Sequence, residues 1–200
     1  MTPLFLENLL KTENRTVILA SQSPRRIELL ESAGLRFSSI PADVDENPTH
    51  FRDSVDFAEQ NALAKARRVG EEHRADLIIG SDTVVVLDDH IMGKPVDRED
   101  AAEMLGKLSG REHQVVSALA LLFPGQTVVE SEITRVRFAP LSGREISAYL
   151  DTLEPFDKAG AYGIQGFAGL FIAGISGDYY NVIGFPLHRF YQCLKREWGV

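Results

Sequence analysis

The chain carries its strongest β-strand signal in Leu77-Ile78-Ile79-Gly80-Ser81-Asp82-Thr83-Val84-Val85-Val86-Leu87. Branched apolar residues on both sides of its centre predict a long strand buried in a sheet. Gly80-Ser81-Asp82-Thr83 interrupts that pattern, and a buried carboxylate is costly unless it faces a cleft, a metal ion or a hydrogen-bond partner. Taken alone, Asp82 is better explained as the cap of a turn or bulge, so its chemistry depends on what surrounds it.

Strands and helices alternate before this run, and strands pair locally after it. This order predicts a mixed α/β fold in which a mixed sheet is flanked by helices. The predicted elements are strands Thr16–Ala20 and Arg36–Ile40, helices Ile27–Ala33 and Ser54–Glu72, a turn at Asp88-Asp89, helix Asp97–Leu108, a hairpin of Gln114–Phe123 and Thr127–Phe138, helix Ser142–Leu150, strand Leu170–Ile175 and a helix from Pro186 to Glu197.

Composition and charge restrict the class of protein. The chain is 200 residues long, 44% hydrophobic and 25% charged, which suits one generous domain with its own core. A net charge of −8 argues against a nucleic-acid partner but leaves room for a small anion held by local cations. Apolar stretches such as Val115–Phe123 are shorter than the roughly 20 residues of a membrane span. The single cysteine, Cys193, precludes an internal disulfide and suits a reducing cytoplasm.

Ser21-Gln22-Ser23-Pro24-Arg25-Arg26 connects a predicted strand to a predicted helix. Ser23 is placed as the N-cap, and Pro24 lies in the first turn. Backbone N–H groups, the helix dipole and two guanidinium groups would then converge on one spot, which favours an anion. A capped helix with solvated arginines explains the same residues, so both interpretations stay open at this point.

Two other stretches carry polar groups that suit chemistry. Asp45-Glu46 follows a predicted strand, with the cations Lys65 and Lys94 further along the chain, although a solvated acidic loop is the simpler explanation. Asp157–Gly166 contains three glycines at three-residue spacing, which would let the backbone approach a ligand closely. A flexible surface turn is the alternative there, but it does not explain the apolar residues between the glycines.

Other chemistries lack their signatures. There is no Gly-x-Ser-x-Gly elbow of a serine hydrolase. The five histidines have no zinc-ligand spacing, and His113 is expected to be structural.

Six blocks of the sequence, in order, resemble the Maf family and extend over residues from about 17 to 195. The blocks are Leu19–Arg26, Gly80–Val85, Gly93–Pro95, Leu108–His113, Asp157–Gly166 and Val182–Leu187.

The resemblance implies a nucleoside triphosphate pyrophosphatase with an inosine-triphosphatase-like fold, in which an elongated mixed sheet forms two lobes around a central cleft. The family's proton acceptor matches Asp82, and its phosphate-binding arginines match Arg25 and Arg26. Base preference in the family is set at positions that match Arg25, Thr83 and Gln165. The Asp157–Gly166 block is similar to the subgroup that hydrolyses dTTP and UTP.

The sequence departs from the family pattern at two positions. Ser81 stands where alanine is usual, and Gln22 where a small residue is common. The added hydroxyl of Ser81 is expected to act on the neighbouring Asp82.

The residues and the family resemblance together predict which side chains act in catalysis, in metal binding and in substrate binding. Asp82 activates a water for attack at the α-phosphorus. A divalent cation, Mg²⁺ or Mn²⁺, is expected near Glu46 and Asp82 because the charge of the triphosphate must be neutralised. Which carboxylates contact the metal directly stays open. The expected substrate-binding residues are Ser21, Ser23, Arg25, Arg26, Lys65, Thr83, Lys94 and Gln165.

The resemblance leaves the first fifteen or so residues outside, so 1–15 is expected to be an N-terminal extension and 16–200 a single domain. Two other functions remain as alternatives. The family is also linked to inhibition of septum formation, which would suit a non-catalytic nucleotide-binding regulator. A sugar-nucleotide transferase would use Asp88-Asp89 on a metal, although these two residues fit a hairpin turn better. A homodimer is left open.

Overall fold

The computed structural model of the chain describes residues 4–46 and 48–199. Within these residues the chain forms seven strands in one sheet and seven α-helices. In chain order the elements are α1 (Phe5–Leu10), β1 (Val17–Leu19), α2 (Pro24–Ser32), β2 (Ser38–Ser39), α3 (Ser54–Glu72), β3 (Leu77–Leu87), β4 (His90–Met92), α4 (Arg98–Leu108), β5 (Glu112–Phe123), β6 (Gln126–Phe138), α5 (Gly143–Leu150), β7 (Ile172–Ser176), α6 (Tyr179–Ile183) and α7 (Leu187–Trp198).

The sheet is mixed, as predicted, and it opens beside the middle of β3. The strand order is β2-β1-β3-β5-β6-β7, with β4 paired to β3. β1 is parallel to both β2 and β3, whereas the remaining pairs are antiparallel. β5 follows one edge of β3, while the other edge is shared by β1 at residues 77–79 and β4 at residues 85–87. Within residues 4–46 and 48–199, no strand therefore pairs with residues 80–84 on that second edge.

The glycine in the centre of β3 allows a helix to approach the sheet closely. α3 packs on this face through the small residues Ala58, Ala62 and Ala66, all of them fully buried. A Cβ atom on Gly80 would overlap the carbonyl oxygen of Ala62. Gly80 is therefore needed for the contact that brings α3 against the strand just before Asp82.

Apolar clusters fill two lobes on either side of the opening. In the first lobe, β1 and the beginning of β3 pack between α3 on one face and α2 and α7 on the other. In the second lobe, the end of β3, β4, α4 and α5 surround a cluster that includes Leu105, Val136 and Phe138. The predicted arrangement of two lobes around a cleft is confirmed.

The structure differs from the sequence predictions at short elements. α1 and α6 were not predicted, and β7 begins two residues later than expected because Phe167–Phe171 forms a 3₁₀ segment. α1 lies in the expected N-terminal extension, yet its Leu6 and Leu10 are buried in the first lobe. No helix in the described part of the chain is both long and apolar enough to cross a membrane.

Candidate active site

All the residues that the sequence assigned to catalysis, substrate binding or metal binding line one cleft of about 750 Å³, which opens beside the middle of β3 between the two lobes. They are Ser21, Ser23, Arg25, Arg26, Glu46, Lys65, Asp82, Thr83, Lys94 and Gln165.

On the face of β3 that packs against α3, the cleft holds a buried carboxylate. Asp82 is only 4% exposed. Its Oδ1 accepts a hydrogen bond from Lys65 Nζ at 2.7 Å, and its Oδ2 accepts one from Asn61 Nδ2 at 3.2 Å. The same lysine lies 3.0 Å from Glu46 Oε2, so one ammonium group pairs with two carboxylates. The cost of burying Asp82 is offset by these partners.

Asn61 is a residue of this site that sequence reasoning missed. Besides contacting Asp82, its Nδ2 donates to the backbone carbonyl of Glu46 at 3.0 Å, which ties the acidic loop to β3. Asn61 is 2% exposed and lies one helical turn before Lys65, on the face of α3 that also carries the buried alanines. An amide on an otherwise alanine-lined helix face was the available signal.

On the opposite face of β3, the cleft holds a buried cation. The Arg26 guanidinium donates to Gly184 O at 3.0 Å from Nε, to Ser21 Oγ at 3.4 Å and to Thr83 Oγ1 at 3.2 Å. Burial lowers the pKa of Arg26, the charges of Asp82 and Glu46 raise it, and Arg25 lowers it further. Within the described residues no carboxylate pairs with Arg26 directly, because its hydrogen bonds all go to neutral oxygens.

Arg26 can therefore bind an anion in the cleft. A guanidinium group has five N–H donors. The contacts above use three of them, which leaves one N–H on each terminal nitrogen, the pair that suits bidentate recognition of a phosphate.

The N-terminus of α2 contributes to the same wall of the cleft. Ser23 is the N-cap residue, as predicted, but its hydroxyl makes no capping hydrogen bond. Ser21 Oγ instead accepts the Ser23 N–H at 3.1 Å. The first turn of α2, with Arg25 and Arg26, thus faces the cleft without a side-chain cap, which suits an anion at the positive end of the helix dipole.

Arg25 is placed apart from Arg26. Its guanidinium group forms an ion pair of 3.3 Å with Asp157, which also contacts Lys158 Nζ at 2.6 Å. Burial would raise the pKa of Asp157, but Lys158 and then Arg25 bring it below its ordinary value. Arg25 therefore reaches across the cleft to the glycine-rich stretch, whereas Lys94 enters from the segment after β4.

The glycine-rich stretch Asp157–Gly166 is packed and not a free surface turn. Ala161 and Tyr162 are buried in the second lobe, while Ile164 packs against the first. Gly160 has a φ of +67° and donates its N–H to Gly93 O at 3.0 Å. The apolar residues between the glycines are thus explained, and Gln165 is carried to the cleft on a loop that contacts both lobes.

Three sequence interpretations are settled by these contacts. Ser81 was expected to act on Asp82, but successive side chains of a strand point to opposite faces, and among the described residues the fully buried Ser81 hydroxyl has no hydrogen-bond partner. Asp88 and Asp89 form the predicted turn outside the cleft, and Asp88 pairs with Arg111 at 2.6 Å. His113 is structural, as expected, and contacts Tyr162 Oη at 2.7 Å.

The carboxylates of the cleft fit a divalent cation only in part. The described residues contain no group of three or more histidine, cysteine, aspartate or glutamate side chains placed to hold a metal ion. Glu46 and Asp82 nevertheless converge on Lys65. Two carboxylates, completed by water and phosphate oxygens, are the usual ligand set for Mg²⁺.

Comparison with known proteins identifies close relatives of the chain. A family model described as Maf-like protein matches residues 16–197. The dTTP/UTP pyrophosphatase of Symbiobacterium thermophilum is 51% identical over 180 residues, which cover 90% of this chain and 93% of the relative. The proteins of the same name from Koribacter versatilis and Clostridioides difficile are 47% and 44% identical, and the matches cover 90% and 92% of this chain and 93% and 96% of the relatives.

A solved structure supports the fold. The Ham1 protein of Staphylococcus aureus superposes with a TM-score of 0.54 at 16% identity, covering 91% of this chain and 99% of that chain. At this identity the likeness concerns the fold alone, and it agrees with the inosine-triphosphatase-like fold that was expected.

Proposed function

Since this chain belongs to the Maf family, we propose that it is a nucleoside triphosphate pyrophosphatase that hydrolyses dTTP and UTP to the monophosphate and pyrophosphate. One observation carries the proposal. A buried carboxylate, Asp82, and a buried cation without an ionic partner, Arg26, lie on opposite faces of one strand and line the same cleft. Such a pair can hold a phosphate chain and direct a water molecule at it.

Arg26 and the N-terminus of α2 would bind the triphosphate. The two remaining N–H groups of Arg26 and the uncapped first turn of α2 favour negative charge. Ser21, Ser23 and Lys94 line the same wall and would add hydrogen bonds and charge. Binding the phosphates there would compensate the cost of keeping Arg26 buried without a carboxylate partner.

Asp82 would orient a water molecule and accept its proton as the oxygen attacks the α-phosphorus. Lys65 and Asn61 hold both carboxylate oxygens in place, so the side chain does not have to reorganise during the reaction. Attack at the α-phosphorus breaks the bond to the β-phosphate, and pyrophosphate is the leaving group.

We propose that Glu46 and Asp82 would hold a divalent cation, Mg²⁺ or Mn²⁺, together with the substrate phosphates. The convergence of the two carboxylates on Lys65 supports this assignment. When bound, the cation would neutralise charge that builds up on the phosphate oxygens.

Base selection would depend on the glycine-rich loop. A uracil-type base presents an N3–H donor between two carbonyl acceptors, and the amide of Gln165 offers one donor and one acceptor that can match two of them. Cytosine carries an acceptor at N3 and a donor at its 4-position, so the amide would have to turn over to match it, and an amide held in the orientation for uracil would therefore disfavour cytosine. The packed loop supports this role because it brings Gln165 to the cleft wall.

Product analysis tests the proposed reaction. UTP and dTTP are incubated with the purified chain and Mg²⁺ or Mn²⁺, and nucleotides, pyrophosphate and orthophosphate are separated. We expect UMP or dTMP with an equal amount of pyrophosphate. UDP and orthophosphate as the main products would place the attack at the γ-phosphorus and contradict the proposal. Nucleotide binding without turnover would favour the non-catalytic alternative.

We propose that the protein acts in the cytoplasm without a nucleic-acid partner. The chain's net charge of −8 supports a partner set without nucleic acid, and its one cysteine supports the cytoplasm. We propose residues 16–200 as a single domain, with α1 of the preceding extension docked on it. A homodimer stays a hypothesis, which light scattering of the purified chain would decide.

A further inference from the structure

A chain of buried hydroxyl and amide groups lies behind the cleft on the Arg26 face of β3. Thr83 Oγ1, which accepts from Arg26, also lies 2.8 Å from Ser117 Oγ of β5 and 3.1 Å from Gly184 O. Ser117 Oγ donates to Asn181 O at 3.1 Å. Ser117 and Asn181 are fully buried, and neither lines the cleft.

The number of hydroxyl protons limits which of these groups can donate to which. Thr83 and Ser117 each have one O–H proton, whereas Ser117, Gly184 O and Asn181 O all offer acceptor positions. Either Thr83 donates to Ser117, which donates to Asn181 O, or Ser117 donates to Thr83, which donates to Gly184 O. In both arrangements the proton of Thr83 points away from Arg26, so a lone pair of Thr83 Oγ1 is directed at the guanidinium group.

We propose that Ser117 is a positioning residue for phosphate binding, because its hydroxyl, together with Gly184 O, holds Thr83 Oγ1 where it accepts from Arg26 and thereby sets the direction in which Arg26 presents its remaining N–H groups. The inference rests on the proposed function in one respect, since it assigns the phosphates to Arg26. Ser117 does not touch the substrate, and its effect passes through Thr83. Thr83 thus belongs to the support of Arg26, in addition to its family-based assignment to base preference.

The far end of the same chain of groups supplies a control. Asn181 Nδ2 donates to Thr134 Oγ1 of β6 at 3.0 Å and to Val115 O at 2.9 Å. Thr134 is as buried as Ser117, but it contacts neither Thr83 nor Arg26. Thr134→Val removes a buried hydroxyl from the chain while keeping its shape, so it reports the purely structural cost.

The experiment combines a thermodynamic cycle with a binding measurement. Ser117→Ala, Thr83→Val, the double variant and Thr134→Val are compared with the wild-type chain. The Kd for inorganic pyrophosphate is measured by calorimetry, kcat and KM are measured for UTP, and thermal unfolding is recorded for each protein.

We expect Ser117→Ala to weaken pyrophosphate binding and to lower kcat/KM about three- to tenfold, the loss typical of one buried hydrogen bond. In the Thr83→Val background the same substitution should change either quantity less than about twofold, because the residue through which it acts is gone. Thr134→Val should lower the unfolding temperature and leave pyrophosphate binding within about twofold of the wild type.

Two results would overturn the inference. One is a Ser117→Ala effect on the Kd or on kcat/KM that is as large in the Thr83→Val background as in the wild type. The other is an equal loss of pyrophosphate binding in Thr134→Val. If Ser117→Ala does not fold, Ser117→Cys, whose thiol is a weak donor and acceptor, gives the same comparison. If the wild type does not cleave UTP, the proposed function fails, and the pyrophosphate measurements still decide the role of Ser117.

Discussion

Asp82 and Thr83 are adjacent in sequence but serve different halves of the cleft. The alternation of side chains along a strand points Asp82 at α3 and Thr83 at Arg26. Because no strand among the described residues pairs with one edge of β3 at this point, both side chains line the cleft. The thickness of one strand therefore separates the carboxylate of Asp82 from the Thr83 hydroxyl, which contacts the Arg26 guanidinium group.

This separation predicts that turnover and phosphate binding can be lost independently. In Asp82→Asn the shape is kept but the base is removed, so we expect kcat to fall by a factor of roughly 10² or more. Pyrophosphate binding at Arg26, on the other face, should stay close to that of the wild type. Single-turnover kinetics and pyrophosphate calorimetry measure the two effects. If Asp82→Asn turns over normally and Glu46→Gln does not, the base is Glu46.

A second prediction concerns the contribution of the Ser81 side chain to stability. In the part of the chain that the structure describes, its buried hydroxyl has no hydrogen-bond partner, which costs roughly 1–3 kcal/mol. We therefore expect Ser81→Ala to raise the free energy of unfolding by about 1 kcal/mol in urea titrations. Its kcat should not change, since the side chain points away from Asp82. Ser117→Ala, which removes a partnered hydroxyl of equal burial, is the matched control and should lower stability.

Single residues also show the limit of sequence reasoning. Some residues could be identified because their charge is energetically unfavourable in their surroundings. Examples are Asp82 in an apolar strand and the paired arginines at the start of a helix. Asn61 gave only the signal of an amide on an alanine-lined helix face, and Ser117 gave none. The role of a polar residue in a helix or strand becomes clear only when its partner from another element is known. Long-range hydrogen bonds, such as that of Arg26 to Gly184, are set by the fold and not by local pattern.

The length of a helix or strand decided whether it could be predicted from the sequence. α3, with 19 residues, and β3, with 11, repeat their patterns several times and were predicted with their bounds. α1 and α6 contain six and five residues, so neither completes two turns and their periodicity is not detectable. α6 is held by the buried side chain of Asn181, which is a tertiary contact.

The glycine-rich loop is the element that should control base choice. We predict UTP and dTTP above CTP, because an amide held in the orientation for uracil is mismatched with cytosine at a cost of about 1–3 kcal/mol. We predict CTP above ATP and GTP, because purines add bulk. Gln165→Ala should flatten this ranking more than it slows the best substrate. The measurement is kcat/KM for all five nucleotides. Gln126→Ala, at the turn between β5 and β6 outside the cleft, serves as control. An unchanged ranking in Gln165→Ala would show that another residue reads the base.

For the whole molecule, the cleft is made by joining distant parts of one sheet. Its walls come from the loop after β1, the middle of β3, α3, the glycine-rich loop and the segment before α7. The order of strands, with β1 and β4 sharing one edge of β3, was not predictable from local signals because it depends on pairing between distant segments. The resemblance to a known family supplied what local patterns did not.

The stability of the whole molecule should depend on pH through one buried histidine in the second lobe. His113 is 3% exposed, and burial lowers its pKa from 6.5 to about 4. Between these two values the unfolded chain binds a proton that the folded protein does not. The free energy of unfolding therefore decreases as the pH falls from 6.5 towards 4, and the full shift corresponds to roughly 3 kcal/mol.

His113→Gln isolates this contribution, since glutamine can still bond to the hydroxyl of Tyr162 and does not titrate. Carboxylates elsewhere also destabilise the fold in acid, so the informative quantity is the difference between wild type and variant in urea titrations. Above pH 7.5 that difference should be constant. Below pH 6.5 it should shift steadily in favour of the variant, because only the wild type loses the contribution of a neutral buried imidazole. A difference that stays constant down to pH 4.5 would mean that the imidazole can take up its proton inside the folded second lobe.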